Sequence, residues 1–584
     1  VGFIPALKRE AFSLIPRKPA RTFLYRDGAR PPVPGRTVLA AAIICALLIG
    51  SVTAGAAAAT GHADTSDAPP PEPAKATVVG AYPNPVAHGD PGEFVAVNFE
   101  EPTDTTGWTI TDGTATARLP NRTFDGTVAF SPEPDHARPD TDHPVEPLSG
   151  RLLLADDGDR VALEAGGRTV ATAQYPTAPE SEIRDFETGE WRPVGATDHE
   201  PVRVEGGSAT AFVLPDASDR TVEVLGSAEE RIHVAGYTFS SGRIADALLD
   251  AAGDGVDVRL LLDGAPVGGF SEAQARQLDR LSAAGVEVRL LAGSNTRYRH
   301  HHPKYAIVDD RALVSTENFK PAGTGGAASR GWSVVLDADG AVDALRSVHE
   351  GDWTWRAATP WSEHRESRDF VAADPALGSF EQRHEPERVE IDAATVLVAP
   401  DNAARELVST IDGTDDRLLV QQVRIDSREN ELLRAALRAA DRGVRVRIHL
   451  GGSWYVEDDN AELAAWLNRR AESEGWDLEA RIDEPAGYGK LHTKGVIADD
   501  TVVVGSLNWV RSAAADNREV LVAVEGSDVA EYYAAVFEDD WGGGGDRSVP
   551  AGVLAAAAAA AGGTLLLFRR LSFVGRETVT DWQW

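Results

Sequence analysis

Methionine is absent from this chain, cysteine occurs once, at Cys45, and lysine occurs only seven times, at positions 8, 18, 75, 304, 320, 490 and 494. A single cysteine excludes an intrachain disulfide, so stability must come from packing. Cys45 lies in an apolar run beside Ile43 and Ile44, a context unlike a lipoprotein site. Because the chain opens on Val1 and has no methionine, its natural start is expected upstream. Positive charge is in short supply: 57 Lys and Arg face 91 Asp and Glu, a net charge of −34. That balance argues against a broad basic surface for nucleic acid and resembles the composition of proteins adapted to high salt. No acidic residue or cysteine stands at ligand spacing around the triplet His300, His301 and His302, so no metal site is expected there.

The 584 residues leave room for about three or four domains. Residues 1–60 combine a basic N-terminus with an apolar run over 38–59, read as a signal peptide or an uncleaved membrane anchor. Residues 61–75, rich in Pro and Ala, read as a linker. Short alternating segments over 76–185, separated by Pro, Gly and Asp, predict a β-sandwich. Residues 186–204 read as a polar connector. A second apolar run, 549–568, follows a glycine joint and is long enough to span a bilayer. Arg569, Arg570 and Arg576 after it predict an inside C-terminus, with the main body of the chain on the extracellular side of the cell membrane. Processing would release it as a secreted protein.

Between these flanks the chain repeats itself. Residues 205–350 carry a strand over 231–237, a helix with Ile244, Ala247, Leu248 and Ala251 at helical spacing, then a strand after Gly255. Residues 390–545 give the same order: a strand over 417–422, a helix through Leu432, Leu433, Ala436 and Leu437, then a strand after Gly443. Each repeat then presents a His-x-Lys segment: His302 and Lys304 in the first, His492 and Lys494 in the second. Each is followed by Asp309 or Asp499, a hydroxyl at Thr316 or Ser506, and Asn318 or Asn508. The step from His to Asn is sixteen residues in both. Strand alternation puts each His and its Lys on one face. The strand–helix–strand units imply an α/β sheet in each half.

The doubled motif resembles the phospholipase D superfamily of phosphodiesterases. The resemblance implies two duplicated α/β halves forming one site at a pseudo-twofold axis. It also implies cleavage of a phosphodiester through a covalent phosphohistidine. His302 is then the nucleophile and His492 the general acid and base. Lys304, Lys494, Asn318 and Asn508 hold the non-bridging oxygens. Asp309 and Asp499 take structural roles, and Thr316 and Ser506 support the site. Glu519, in Asn517-Arg518-Glu519, is expected to orient His492. The first repeat has no carboxylate at the equivalent place and has Ser315 where the family usually has Gly, so Asp263 is the candidate partner for His302. No metal and no cofactor are required, because the lysines supply the charge. Over 76–185, Gly92-Glu93-Phe94-Val95 and Gly107-Trp108-Thr109-Ile110 resemble a lamin-tail-type immunoglobulin fold, whose role is a spacer or a binding module.

The motifs do not separate nucleic acid from phospholipid as substrate, and no obligate protein partner is evident. Arg297, Arg299, Arg330, Arg511 and Arg518, with Tyr298, Trp332 and Trp509 as base-stacking rings, favour an exported, membrane-anchored nuclease. Phospholipase D or cardiolipin-synthase-like phosphatidyl transfer is the alternative, with Trp454, Tyr455 and Phe319 as an apolar rim. A non-catalytic surface scaffold is the third reading.

Overall fold

The computed structural model describes residues 76–543, except 86–90, 294–295, 327, 373–377 and 486. The apolar runs 38–59 and 549–568 lie outside the described residues. Among the described residues no helix is long and apolar enough to cross a membrane.

The N-terminal module is two antiparallel-rich sheets over one core. A six-stranded sheet includes Ala76–Tyr82, Phe94–Asp104 and Thr123–Ser131, and a five-stranded sheet includes Trp108–Thr111, Asp159–Ala165 and Arg168–Tyr175. Phe99, Phe124 and Phe130 from the first sheet meet Trp108, Ile110, Val161 and Leu163 from the second. The six-stranded sheet is completed by Glu182–Asp185 and Trp191–Pro193. The module therefore runs past 185 into what the sequence presents as a polar connector. Short strands of half-buried residues carry little periodic signal, which is why their pairing was hidden. Arg511 of the second repeat donates to the Glu180 carbonyl and lies 3.5 Å from Glu182, fixing the module against the catalytic body.

Each repeat builds one large mixed sheet. The first follows the order Ala358–Pro360, Glu287–Leu291, Asp257–Asp263, Arg231–Gly236, Lys304–Val308, Arg311–Ser315, Ser329–Asp337, Ser208–Leu214, Glu387–Glu390. The second follows Leu478–Ile482, Arg445–Leu450, Arg417–Gln422, Lys494–Ala498, Thr501–Gly505, Glu519–Glu525, Ala393–Ala399, Val202–Glu205. The central strands are buried on both faces and read as nearly unbroken apolar runs. Helices cover the outer faces. Those at Gly242–Gly253, Glu272–Ala283 and Glu431–Asp441 start where Ser241, Ser271 and Asn430 accept backbone N–H groups of the first turn.

The edge strands are exchanged. Val202–Glu205 precedes the first repeat in sequence yet pairs with Ala393–Ala399 of the second. Glu387–Glu390 precedes the second repeat yet pairs with Ser208–Leu214 of the first. Gly206 and Gly207, at φ of 73° and 106°, let the chain cross from one sheet to the other. The repeats as read from sequence, beginning at 205 and 390, thus omit a strand that each contributes to the other.

The inner faces of the two sheets share a core of Tyr305, Ile307, Trp332, Val334, Ile497, Val502, Val522 and Phe537, among others. Two buried arginines cross it. Arg330 of the first repeat pairs with Asp540 of the second at 3.0 Å and with Asp216 at 3.3 Å. Arg518 of the second pairs with Asp352 of the first at 3.0 Å and with Asp401 at 2.8 Å. All six side chains are at most 2% exposed. Removing one partner of such a pair strands the other charges without water. Arg518→Met and Arg330→Met are each expected to lose ~3–5 kcal/mol of stability in urea denaturation. A loss below ~1 kcal/mol, the range of an exposed pair, would mean that the arginines do not hold the halves together.

Candidate active site

Both motif strands run antiparallel to their neighbours, and each motif His lies just before the strand begins. At the far end the chain turns sharply. Asp309 and Asp499 adopt left-handed backbone, φ 51° and 53°. The Asp309 carboxylate accepts the backbone N–H groups of Glu229, Glu230 and Arg231 at 2.8–2.9 Å. Asp499 does the same for Asp415, Asp416 and Arg417 at 2.8–3.0 Å. These aspartates tie the end of the motif strand to the start of the next strand in the sheet and stand away from the histidines. Burial raises the Asp309 pKa, and the three backbone N–H groups more than offset this, so its net shift is downward.

The two motifs meet because each half holds the backbone of the other. The His302 N–H donates to the Arg518 carbonyl and the His492 N–H to the Arg330 carbonyl, both at 2.9 Å. The arginines that clamp the core by their side chains therefore also seat the histidines by their carbonyls. Thr316 and Ser506 brace the same strands: their hydroxyls accept the N–H of Trp332 and Val520, each at 3.1 Å. Asn318 and Asn508, two residues further along, sit half-buried.

Glu519 orients a histidine, but His302 rather than His492. Both of its oxygens lie 2.8–2.9 Å from His302 Nδ1, and Asn517 donates to it at 3.0 Å. The expectation failed because a carboxylate near one motif in sequence crosses the twofold to serve the other. Asp263 is not the partner of His302. It accepts the His301 backbone N–H at 2.6 Å and lies 3.6 Å from His300 Nδ1. His301 is buried against Asp352, 3.5 Å away. The carboxylate facing His492 is Glu317, at 3.3 Å from Nδ1, a residue with no role assigned from sequence. Its place one residue before Asn318 was the available signal. Tyr237, also missed, packs edge-on against the His302 ring at 4.7 Å.

Lys304 and Lys494 are 1% and 2% exposed, and each donates to the carbonyl of its own motif His at 2.7 Å. Lys494 Nζ also lies 3.3 Å from His492 Nδ1 and 3.5 Å from the Thr316 carbonyl of the other half. Burial lowers the Lys494 pKa to about 7, against the opposing pull of Glu317 and Glu519, and the His302 pKa to about 4, against that of Glu519. It pushes Lys304 and His492 well below their ordinary values and raises Glu317 to about 7. A desolvated cluster of this kind is poised to receive an anion, which restores charge to the lysines. Among the described residues no group of three or more His, Cys, Asp or Glu could hold a metal ion.

Most of the ring proposed for base stacking is core. Tyr298, Trp332 and Trp509 are at most 5% exposed. Arg330 and Arg518 are consumed by the clamps and Arg511 by the N-terminal module. Arg297 stacks on Trp355, leaving Arg299 exposed. Phe319, assigned to an apolar rim, is buried as well. Trp454 and Tyr455 are exposed.

The family model "Cardiolipin synthase, PLD-like domain" matches residues 221–353 and 407–541, one segment in each repeat. The chain belongs to the phospholipase D superfamily. A mitochondrial cardiolipin hydrolase of Chlamydomonas reinhardtii is 29% identical over 101 residues, 17% of this chain and 42% of that protein, so less than half of the relative's length is spanned. Among solved structures, phosphatidylserine synthase of Haemophilus influenzae Rd KW20 aligns over 57% of this chain and 87% of its own, with 12% identity and a TM-score of 0.42. Nuc of Salmonella typhimurium, a phospholipase D family member, aligns over 28% of this chain and 99% of its own, with 22% identity and a TM-score of 0.23.

Three outcomes are expected. Inorganic phosphate should bind with net proton uptake at pH 8, because an anion raises the depressed lysine pKa values. Its affinity should fall as pH rises through about 7, where Lys494 loses its proton. Calorimetry in buffers of different ionisation heat measures both; proton release on binding would contradict the charge assignment. His302→Ala and His492→Ala should each lower phosphodiester turnover by roughly 10²-fold or more while the circular dichroism stays unchanged.

Proposed function

We propose that the protein cleaves the phosphodiester of a phospholipid through a covalent phosphohistidine. Glu519 holds Nδ1–H of His302, which leaves the Nε2 lone pair free to attack phosphorus. The N–P bond forms as the bond to the leaving oxygen breaks, and His492 delivers a proton to that oxygen. His492 then takes a proton from water or an alcohol, whose oxygen attacks phosphorus and releases His302. Water gives hydrolysis and an alcohol gives transfer. Lys304 and Lys494 stay close to the non-bridging oxygens throughout, in a site that excludes water and so strengthens their field.

The observation that carries the lipid reading is where exposed apolar side chains lie. Val267 is 80% exposed, on the loop 264–269, and its N–H donates to the hydroxyl of Tyr237, whose ring faces His302. Val371 is exposed beside that loop. Trp454, 87% exposed, and Tyr455 tip the loop after Arg445–Leu450, the corresponding strand of the second repeat. That strand ends level with Lys494 through Gln422. Both sides of the mouth thus present apolar or amphipathic tips, which suit a lipid–water interface. Rings placed to stack bases are missing from the same rim among the described residues assigned to that task. The family description and the cardiolipin hydrolase likeness support the same substrate class.

The test incubates the purified protein with cardiolipin-containing vesicles and, separately, with single-stranded DNA, using His302→Ala as control. Headgroup release or exchange that the variant loses is expected. Cleavage of DNA without any action on vesicles would overturn the lipid reading. Trp454→Ala/Tyr455→Ala should lower turnover on vesicles by ~10-fold or more, from lost interfacial burial, yet leave a short-chain soluble phosphodiester unaffected.

A further inference from the structure

Three differences between the repeats stand out beside the site: in the first, Ser315 stands where the second has Gly505, Glu317 where it has Leu507, and Gly331 where it has Glu519. The strand registers establish the last equivalence. Ser315 pairs with Ser333 and Gly505 with Leu521, so positions 331 and 519 lie two residues before matching points. Positions 317 and 507 each stand fifteen residues after the motif His and one before the motif Asn.

These differences fit one another in space. A Cβ on Gly331 would fall 2.3 Å from Glu317 Cγ and 2.8 Å from its Oε1. A Cβ on Gly323 would fall 2.7 Å from the other carboxylate oxygen. Ser315 Oγ accepts the Glu317 backbone N–H at 3.0 Å and bonds Ser333 Oγ at 2.8 Å, contacts that Gly505 cannot make. Glu317 is 2% exposed, its Oε2 is 3.3 Å from His492 Nδ1, and its buried Oε1 has no hydrogen-bond partner. In the second repeat the corresponding Leu507 is turned into the core.

We propose that Glu317 is the positioning residue of His492, the orienting carboxylate having moved from the strand position 331 to the preceding strand's end. Ser315, Gly323 and Gly331 form the slot that the moved side chain needs. The departures of the first repeat are thus one relocation and leave its half of the site complete. The alternative is that Glu317 only neutralises Lys490 and Lys494.

The role at His492 rests on the phosphohistidine reading, so the test has two readouts. The first is turnover of a soluble phosphodiester by the full chain. Glu317→Gln, nearly isosteric, should lower kcat by ~10²-fold with KM little changed. Glu317→Leu should do the same. Adding Gly331→Glu to Glu317→Leu, which copies the second repeat, should recover at least tenfold. The second readout is the ¹⁵N shift of His492 Nδ1 in histidine-labelled protein, which should move in Glu317→Gln and return in the double variant. A neutralising role predicts no return on either measure. Wild-type kcat and an unmoved shift in Glu317→Gln would overturn the proposal, and so would a folded double variant no better than Glu317→Leu. A moving shift in a protein that turns over no phosphodiester would keep the positioning role and sink the catalytic reading instead.

Discussion

Two arginines, Arg330 and Arg518, couple assembly to chemistry. Each guanidinium is buried with aspartates drawn from both repeats. Each carbonyl accepts the N–H of the motif histidine belonging to the other repeat. The same residue therefore closes the interface and sets the height of a reactive ring. Buried ion pairs add little net stability over an apolar substitute, because desolvation cancels much of the attraction. Their value here is register: a slip between the sheets leaves charges without partners, so one relative placement of the halves is selected.

Charge is rationed in the same spirit. The chain carries a net charge of −34, yet it buries Lys304 and Lys494 beside each other's motif and keeps Lys320 and Lys490 near them. Desolvation makes the ammonium groups of Lys304 and Lys494 reluctant cations. A phosphodiester entering the site favours the charged lysines, and the protons then taken up draw on part of the binding energy. The carboxylates Glu317 and Glu519 reduce that draw by favouring the charged form of Lys494.

Much of this was legible in the sequence, and the limits have physical causes. The paired His, Lys and Asn at fixed spacing, and the matching strand–helix–strand order, led to the duplicated α/β halves. Local patterns report local structure well. What crossed between repeats was hidden. Glu519 lies close in sequence to the second motif, and only the pairing of His302 with the Arg518 carbonyl shows that it serves the first. Trp332, Trp509 and Tyr298 carry the chemistry of base stacking, but a ring's type does not say which face of a strand or loop it takes. Trp332 is fixed inside by Gly495, where any Cβ would strike its ring at 2.3 Å. The edge strands at 202–205 and 387–390 are too short and polar to reveal partners nearly two hundred residues away.

The exchange of those edge strands bears on how the two copies were free to diverge. Two separate identical subunits trading arms would meet every substitution twice, once on each side of the axis. A change that suits the environment of one histidine would then be imposed on the other. In a single chain the arms still trade places, but each position is written independently. Moving a carboxylate from one strand to the next, with a glycine opened to receive it, requires that liberty: Gly331 on one side and Glu519 on the other are a pair that no symmetric dimer can encode.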